Sequence, residues 1–156
     1  ADRNWAVSLL CVLDAAALQL TLAPSLAHPR PAIRQGVACF ADVCEALDLE
    51  PLGPDGEAVV ENFVLDPLGA AGDSAPEDVR LWLTYEEFMV GIDRLRDVGF
   101  PFEVEPEVAW RRFSRIRVLY EGAAYRLCDA IDAVPAEWSG PRTPPLPQIR
   151  PLPLHG

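Results

Sequence analysis

The chain has 156 residues, 50% of them hydrophobic, with 24 acidic against 13 basic side chains and a net charge of −11. That length suits one domain with a real core, and that composition rules out a chain disordered throughout. Nucleic acid is a poor partner for it, because displacing counterions from phosphates takes a basic surface.

The charge is unevenly spread, and every basic residue is arginine. Residues 42–107 carry 18 acids and 3 arginines, whereas Arg111 onward carries 7 arginines and 4 acids. An acidic middle before a mildly basic end suggests pairing within the chain or between subunits, alongside a solvated acidic surface. The chain opens on Ala1 and its one methionine is Met89, so it is expected to be a piece of something longer. No basic leader or small-residue cleavage pattern marks a signal peptide.

The first predicted helix covers residues 5–22, capped by Asp2 or Asn4 and stopped before Pro24. Its polar residues Ser8, Asp14, Gln19 and Thr21 share no single face, which predicts burial nearly all round. The helix is long enough to cross a bilayer, but a central aspartate costs about 2.5–3.5 kcal/mol there. Inside protein the same carboxylate can meet a hydrogen-bond donor or an arginine. A core position in a bundle or an oligomer is therefore preferred.

The second helix is predicted over 31–47, with Pro31 in its first turn. Ile33, Val37, Phe40, Cys44 and Leu47 make its buried stripe. From 48 to 80 prolines and glycines alternate, and an irregular insertion is expected, with "EAVVENFVLD" as a short strand or helical turn inside it. "TYEEF" then opens the third helix: Thr84 at the N-cap and Glu87 three residues on form a capping box. Tyr85, Phe88, Ile92 and Leu95 are its apolar stripe, and Gly99 with Pro101 its stop. A fourth helix is predicted over 106–134, with a possible break at "RFSRIR". Ala109, Phe113, Ile116, Tyr120, Ala123, Leu127 and Ile131 recur along it at three- and four-residue steps. Residues 141–156 read as an extended proline-rich tail, whose "PPLP" is a weak SH3-type ligand signal.

The fold class is thus all-α: one domain over 1–140, a bundle of four to five helices with a long irregular Pro/Gly-rich insertion, and an extended tail. Trp5, Leu9, Leu13, Phe88, Trp110 and Tyr120 are the expected apolar contacts.

Chemistry is sparse. The acids Glu86, Glu87, Asp93 and Asp97 fall on the wet face of the third helix and form no calcium loop. Cys11, Cys39, Cys44 and Cys128 lack a C-x-x-C pair and read as buried thiols in a reducing compartment. His28 and His155 are too few and too distant for a zinc site. No G-x-S-x-G, P-loop, dinucleotide fingerprint or H-E-x-x-H is present. No catalytic, cofactor-binding or metal-binding set can be named, and no small-molecule ligand. The candidate polar contacts are Asp14, as a structural hydrogen-bonding group, and Arg111, Arg112, Arg115 and Arg117. The arginines are expected to pair within the protein near Glu103, Glu105 and Glu107; gripping an anionic ligand or headgroup is the rival reading.

Six strings carry a resemblance: "NWAVSLLCVLDAAALQLTLAP", "LTYEEF", "VGFPFE", "EVAWRRF", "RVLYEGAAYRLCDAID" and "PAEWSGPR". In this order they resemble the segment after the last membrane helix in actinobacterial ion-channel-like membrane proteins of the two-transmembrane, potassium-channel type. The likeness runs over about 4–142 and omits much of 50–80, where this chain is longer. It implies a non-enzymatic cytosolic domain at the plasma membrane that supports assembly or transmits a conformational signal. The implied partners are copies of itself or the membrane part of its own chain, with the membrane reached only through an upstream segment. Ion conduction would belong to that segment. A soluble protein–protein adaptor is the alternative, and an enzyme of unrecognised type a third.

Overall fold

The computed structural model describes residues 4–26, 29–50, 81–133 and 138. The insertion's 51–80, with its expected strand or helical turn, and the proline-rich 141–156 lie outside the described residues. Among those described the fold is all-α, with four helices and no strand: α1 (Trp5–Leu22), α2 (Arg30–Ala46), α3 (Tyr85–Asp97) and α4 (Pro106–Ala130).

The helix starts follow the local chemistry. Asn4 Oδ1 accepts from the N–H groups of Ala6 (3.1 Å) and Val7 (3.4 Å), so Asn4 is the cap of α1. Thr84 and Glu87 close the capping box of α3: Thr84 Oγ1 accepts from Glu87 N (3.2 Å) and Glu87 Oε2 from Thr84 N (3.0 Å).

Three helices end in one way. At α2, α3 and α4 a residue just past the end turns left-handed: Asp48 (φ 53°), Gly99 (φ 73°) and Asp132 (φ 50°). The following N–H then reaches back to a carbonyl inside the helix, from Leu49 to Cys44 (2.9 Å), Phe100 to Leu95 (2.9 Å) and Ala133 to Cys128 (2.8 Å). Glycine makes such an end visible in sequence. Aspartate takes the left-handed region less often, so α2 stops at Ala46 and α4 at Ala130, short of the expected 47 and 134. Of the two courses open at "RFSRIR", a break or a continuous helix, the chain takes the second, because the apolar stripe of α4 runs straight through it.

α4 is the axis of the domain. α1 and α2 pack on it and on each other, and α3 lies against it from another side. Its predicted stripe from Ala109 to Leu127 is buried, but so are Ser114, Arg115, Arg117, Glu121, Ala124, Tyr125 and Cys128. Ile131, past the helix end, is exposed. Burial spreads beyond the stripe because α1, α2 and α3 all pack on α4.

This reverses the expectation for α1. Ala6, Leu10, Leu13, Ala17 and Leu20 form its inner stripe, with Asp14 and Thr21 beside them. Only 44% of its residues are buried. Trp5, Ser8, Cys11, Val12 and Ala15 are exposed, since α2 and α4 cover one side of α1 and α3 stands off from the other. Trp5 is therefore no core contact; Leu13, Phe88 and Tyr120 are, with Leu9 and Trp110 partly buried. Cys11 and Cys39 are exposed, correcting their reading as buried thiols, whereas Cys44 and Cys128 are buried. In α2 the buried residues are Ile33, Gly36, Phe40 and Cys44, and Leu47 has left the stripe with the shortened helix. In α3 Phe88 and Ile92 are buried, with Tyr85 and Leu95 partly so.

Gly36 sets how closely α2 approaches α1. A Cβ there would run into the Leu13 side chain, itself 1% exposed and packed in the core. Gly36→Ala is expected to destabilise by about 1–3 kcal/mol through overpacking, despite alanine's better helix propensity. Chemical denaturation checks it; a neutral or stabilising result would mean the two helices do not meet there.

The linker between α3 and α4 finishes α1. The N–H groups of Glu103 (2.8 Å) and Val104 (3.2 Å) both donate to the Leu22 carbonyl, which would otherwise be left bare at the helix end. The Glu103 carboxylate accepts from Ser25, through its backbone N–H (3.0 Å) and its hydroxyl.

Candidate functional site: a buried polar junction around Arg117

Residues 117, 120, 121 and 125 lie at three- and four-residue steps, so α4 presents them on one face. On α1 the 3.6-residue turn sets Asp14 beside Leu10, Leu13 and Ala17 and aims it at that face. The result is a charged cluster within the core.

Arg117 is its centre and its side chain has no exposed surface. Nη1 donates to Asp14 Oδ2 on α1, and Nε to Glu121 Oε1 (2.9 Å) one turn on. Nη2 donates to the Tyr125 hydroxyl (2.9 Å) and the Trp138 carbonyl (2.6 Å). The rings of Phe113, Tyr125 and Trp138 lie 5.8–6.0 Å from the guanidinium carbon, within cation–π range. The fork of an arginine suits this many-sided role, where a lysine would offer one point charge.

Each partner is engaged in turn. Asp14 Oδ1 accepts from the Tyr120 hydroxyl (2.7 Å). Glu121 accepts from the backbone N–H groups of Trp82 (2.8 Å) and Leu83 (3.1 Å), just before α3. Among the described residues no buried side-chain N or O lacks a partner. The junction thus joins four pieces of chain: α1, α4, the 82–83 approach to α3, and Trp138.

Trp138 closes it from outside. Its indole lies on Gly91 of α3, where a Cβ would come within 2.6 Å of the ring; it stacks with Phe88 (6.5 Å) and meets Phe113 at a tilt (5.9 Å). Its backbone is left-handed (φ 61°), a conformation a bulky side chain rarely adopts.

One guanidinium faces two carboxylates, Asp14 and Glu121, leaving one excess negative charge. Burial pushes the Asp14 carboxyl up to about 6, with Glu121 adding to the rise, while Arg117 and the Tyr120 hydrogen bond oppose it. The Arg117 guanidinium is held firmly charged by Asp14, against its own burial. The Tyr120 and Tyr125 hydroxyls are pushed up, chiefly by burial, and stay protonated as donors. Burial also raises the thiols of Cys44 and Cys128, the latter to about 11, which makes them poor nucleophiles.

Beside the junction, between α1 and α3, lies a cavity of about 390 Å³. Its walls are Cys11, Ala15 and Leu18 on one side and Val90 and Gly91 on the other, with Trp138 against Gly91; Asp14, Glu87 and Arg94 supply its polar groups.

Of the residues singled out in the sequence, Asp14 and Arg117 meet in the core, although 103 positions separate them. Arg117 pairs with Asp14 and Glu121 and leaves the acids at 103–107 alone. Arg111 is exposed, Arg112 half-buried and Arg115 buried. Sequence reasoning missed Glu121, Tyr125 and Trp138 as polar partners. The i, i+4 spacing of Arg117, Glu121 and Tyr125 was the available signal; nothing local announces Trp138. Among the described residues no His, Cys, Asp and Glu cluster could hold a metal. Comparison with known protein families, with curated proteins and with solved structures finds no match for this chain.

Proposed function

We propose that this chain is a non-enzymatic cytosolic domain of an ion-channel-like membrane protein, supporting its assembly or carrying a conformational signal to it. One observation supports the reading above others. The strings on which the resemblance rests are the strings that build the junction: Asp14 in the first, Leu83 in "LTYEEF", Arg117, Tyr120, Glu121 and Tyr125 in "RVLYEGAAYRLCDAID", and Trp138 in "PAEWSGPR". The likeness therefore concerns what holds these helices in one arrangement. Asp14, the buried carboxylate an acid–base mechanism would want, has both oxygens engaged by Arg117 and Tyr120, as suits a structural part. A junction of four chain segments can pass on a signal only if it has two arrangements that partners tell apart.

The reading frame upstream of the chain tests this. Two apolar spans flanking a T-x-G-Y-G-like loop are expected, together with cation flux into vesicles holding the whole protein. A frame with no apolar span overturns the proposal.

The uncharged strip Trp5, Ser8, Val12 and Ala15 on α1 favours a second reading, a soluble adaptor that docks another protein there. With no apolar span upstream, that reading stands.

A further inference from the structure

The cavity between α1 and α3 has a chemistry that the proposed role does not use. Its volume of about 390 Å³ lies in the range that holds small ligands, and Ala15, Leu18, Val90 and Trp138 give it apolar and aromatic walls. At its inner end stands Asp14, whose side chain keeps 9% of its surface although the Arg117 behind it keeps none. That end belongs to a junction with one more negative charge than positive. At the rim Glu87 and Arg94 carry opposite charges, so the described lining residues leave that imbalance standing. Both Asp14 oxygens already accept a bond, so the attraction is that of charge for charge: an apolar pocket with an indole wall, ending on a junction of net negative charge, is complementary to a cation on an apolar body.

We propose that this cavity binds a small organic cation, a protonated amine carrying a compact apolar or aromatic group. The ammonium sits at the Asp14 end against the face of Trp138, and the apolar body lies between Ala15 and Leu18 of α1 and Val90 and Gly91 of α3. Because α1 and α3 meet each other little except through α4 and Trp138, a ligand there bridges two otherwise separate helices. The proposal goes beyond the assignment to a channel-like protein and does not depend on it.

Phenethylammonium is the probe, titrated into the isotope-labelled full chain in about 150 mM salt, which screens loose attraction to the acidic surface. Saturable shifts are expected at the amides of Ala15, Val90 and Gly91 and at the Trp138 indole N–H. The dissociation constant should be on the order of 1 mM, the scale for so small a ligand. Phenethyl alcohol, of the same shape without the charge, should bind about tenfold more weakly. Lowering the pH from about 7.5 to about 5 should also weaken the ammonium about tenfold, as Asp14 takes up its proton. Among the described residues the groups facing that carboxyl are Cys11 on its own helix, Arg117, Tyr120, Glu121 and Tyr125 on α4, and Glu87 and Arg94 across the cavity.

Asp14→Asn should lose the preference for the ammonium over the alcohol. Ala15→Phe, at an exposed position that cannot endanger the core, should fill the space and abolish both. If Asp14→Asn does not fold, Ala15→Phe and the alcohol comparison decide. The proposal is overturned by equal binding of ammonium and alcohol, by affinity unchanged in Ala15→Phe, or by no saturable binding. Shifts confined to Glu86, Asp93 and Asp97 would overturn it too.

Discussion

Arg117→Ala is expected to remove about 3–5 kcal/mol of folding stability, a large share of the roughly 5–15 kcal/mol that a domain has. The loss does not measure the worth of one salt bridge. Truncation leaves the buried Asp14 and Glu121 without their cation, takes one donor from the Tyr125 hydroxyl and one from the Trp138 carbonyl, which keeps the Tyr125 hydroxyl (3.2 Å), and opens a hole at the centre of the core. Arg117→Lys should recover little of this, since an ammonium cannot bond Asp14, Glu121, Tyr125 and Trp138 at once. Urea titrations of the three proteins check it. A loss below about 1 kcal/mol, the scale of an exposed ion pair, would mean that the guanidinium is not buried as described.

The second large effect is a pH dependence of unusual sign. Asp14 is raised from 3.8 to about 6 in the folded state, chiefly by burial, so the folded chain holds that proton more tightly than the unfolded one. Its contribution to stability is fully present below 3.8 and is lost as the pH rises through about 6. The loss between those limits amounts to about 3 kcal/mol. Most carboxylates that titrate in a fold act in the opposite sense. Comparing wild type with Asp14→Asn at matched pH cancels those others: the stability difference should shift by that amount in favour of the variant from pH about 4 to about 7, and stay level above. A difference that is flat across the window would show a carboxyl with an ordinary pKa, hence one open to water.

The sequence made the helices legible because their chemistry is local. The Thr84–Glu87 box and the Gly99 stop bracket α3, and the stripe from Ala109 to Leu127 runs through α4 at helical steps. What stayed hidden depends on contacts far along the chain. Which helix lies at the centre is settled by where the other three pack, and composition misdirects here. The most apolar helix, α1, is left half open, while α4 lies at the centre although it carries Arg117, because that guanidinium is answered inside. Asp48 and Asp132 end helices as glycine would, but aspartate seldom does so and gives no such signal. The need of Asp14 for an internal donor was readable from one carboxylate amid apolar neighbours. Its choice of Arg117 over Arg111, Arg112 and Arg115 was not, because that choice rests on the facing of α4 against α1.

A double-mutant cycle between Asp14→Asn and Arg117→Gln, followed by urea denaturation near neutral pH, probes the centre of the junction most directly. With the two groups answering each other in the core, the double variant should be less destabilised than the sum of the singles by about 1–3 kcal/mol: Arg117→Gln strands Asp14 and Glu121 together, and the double variant removes the first of those stranded carboxylates while Glu121 is left alike in both. Additivity within about 0.5 kcal/mol would contradict the account, for it would mean that α1 and α4 do not meet through this pair.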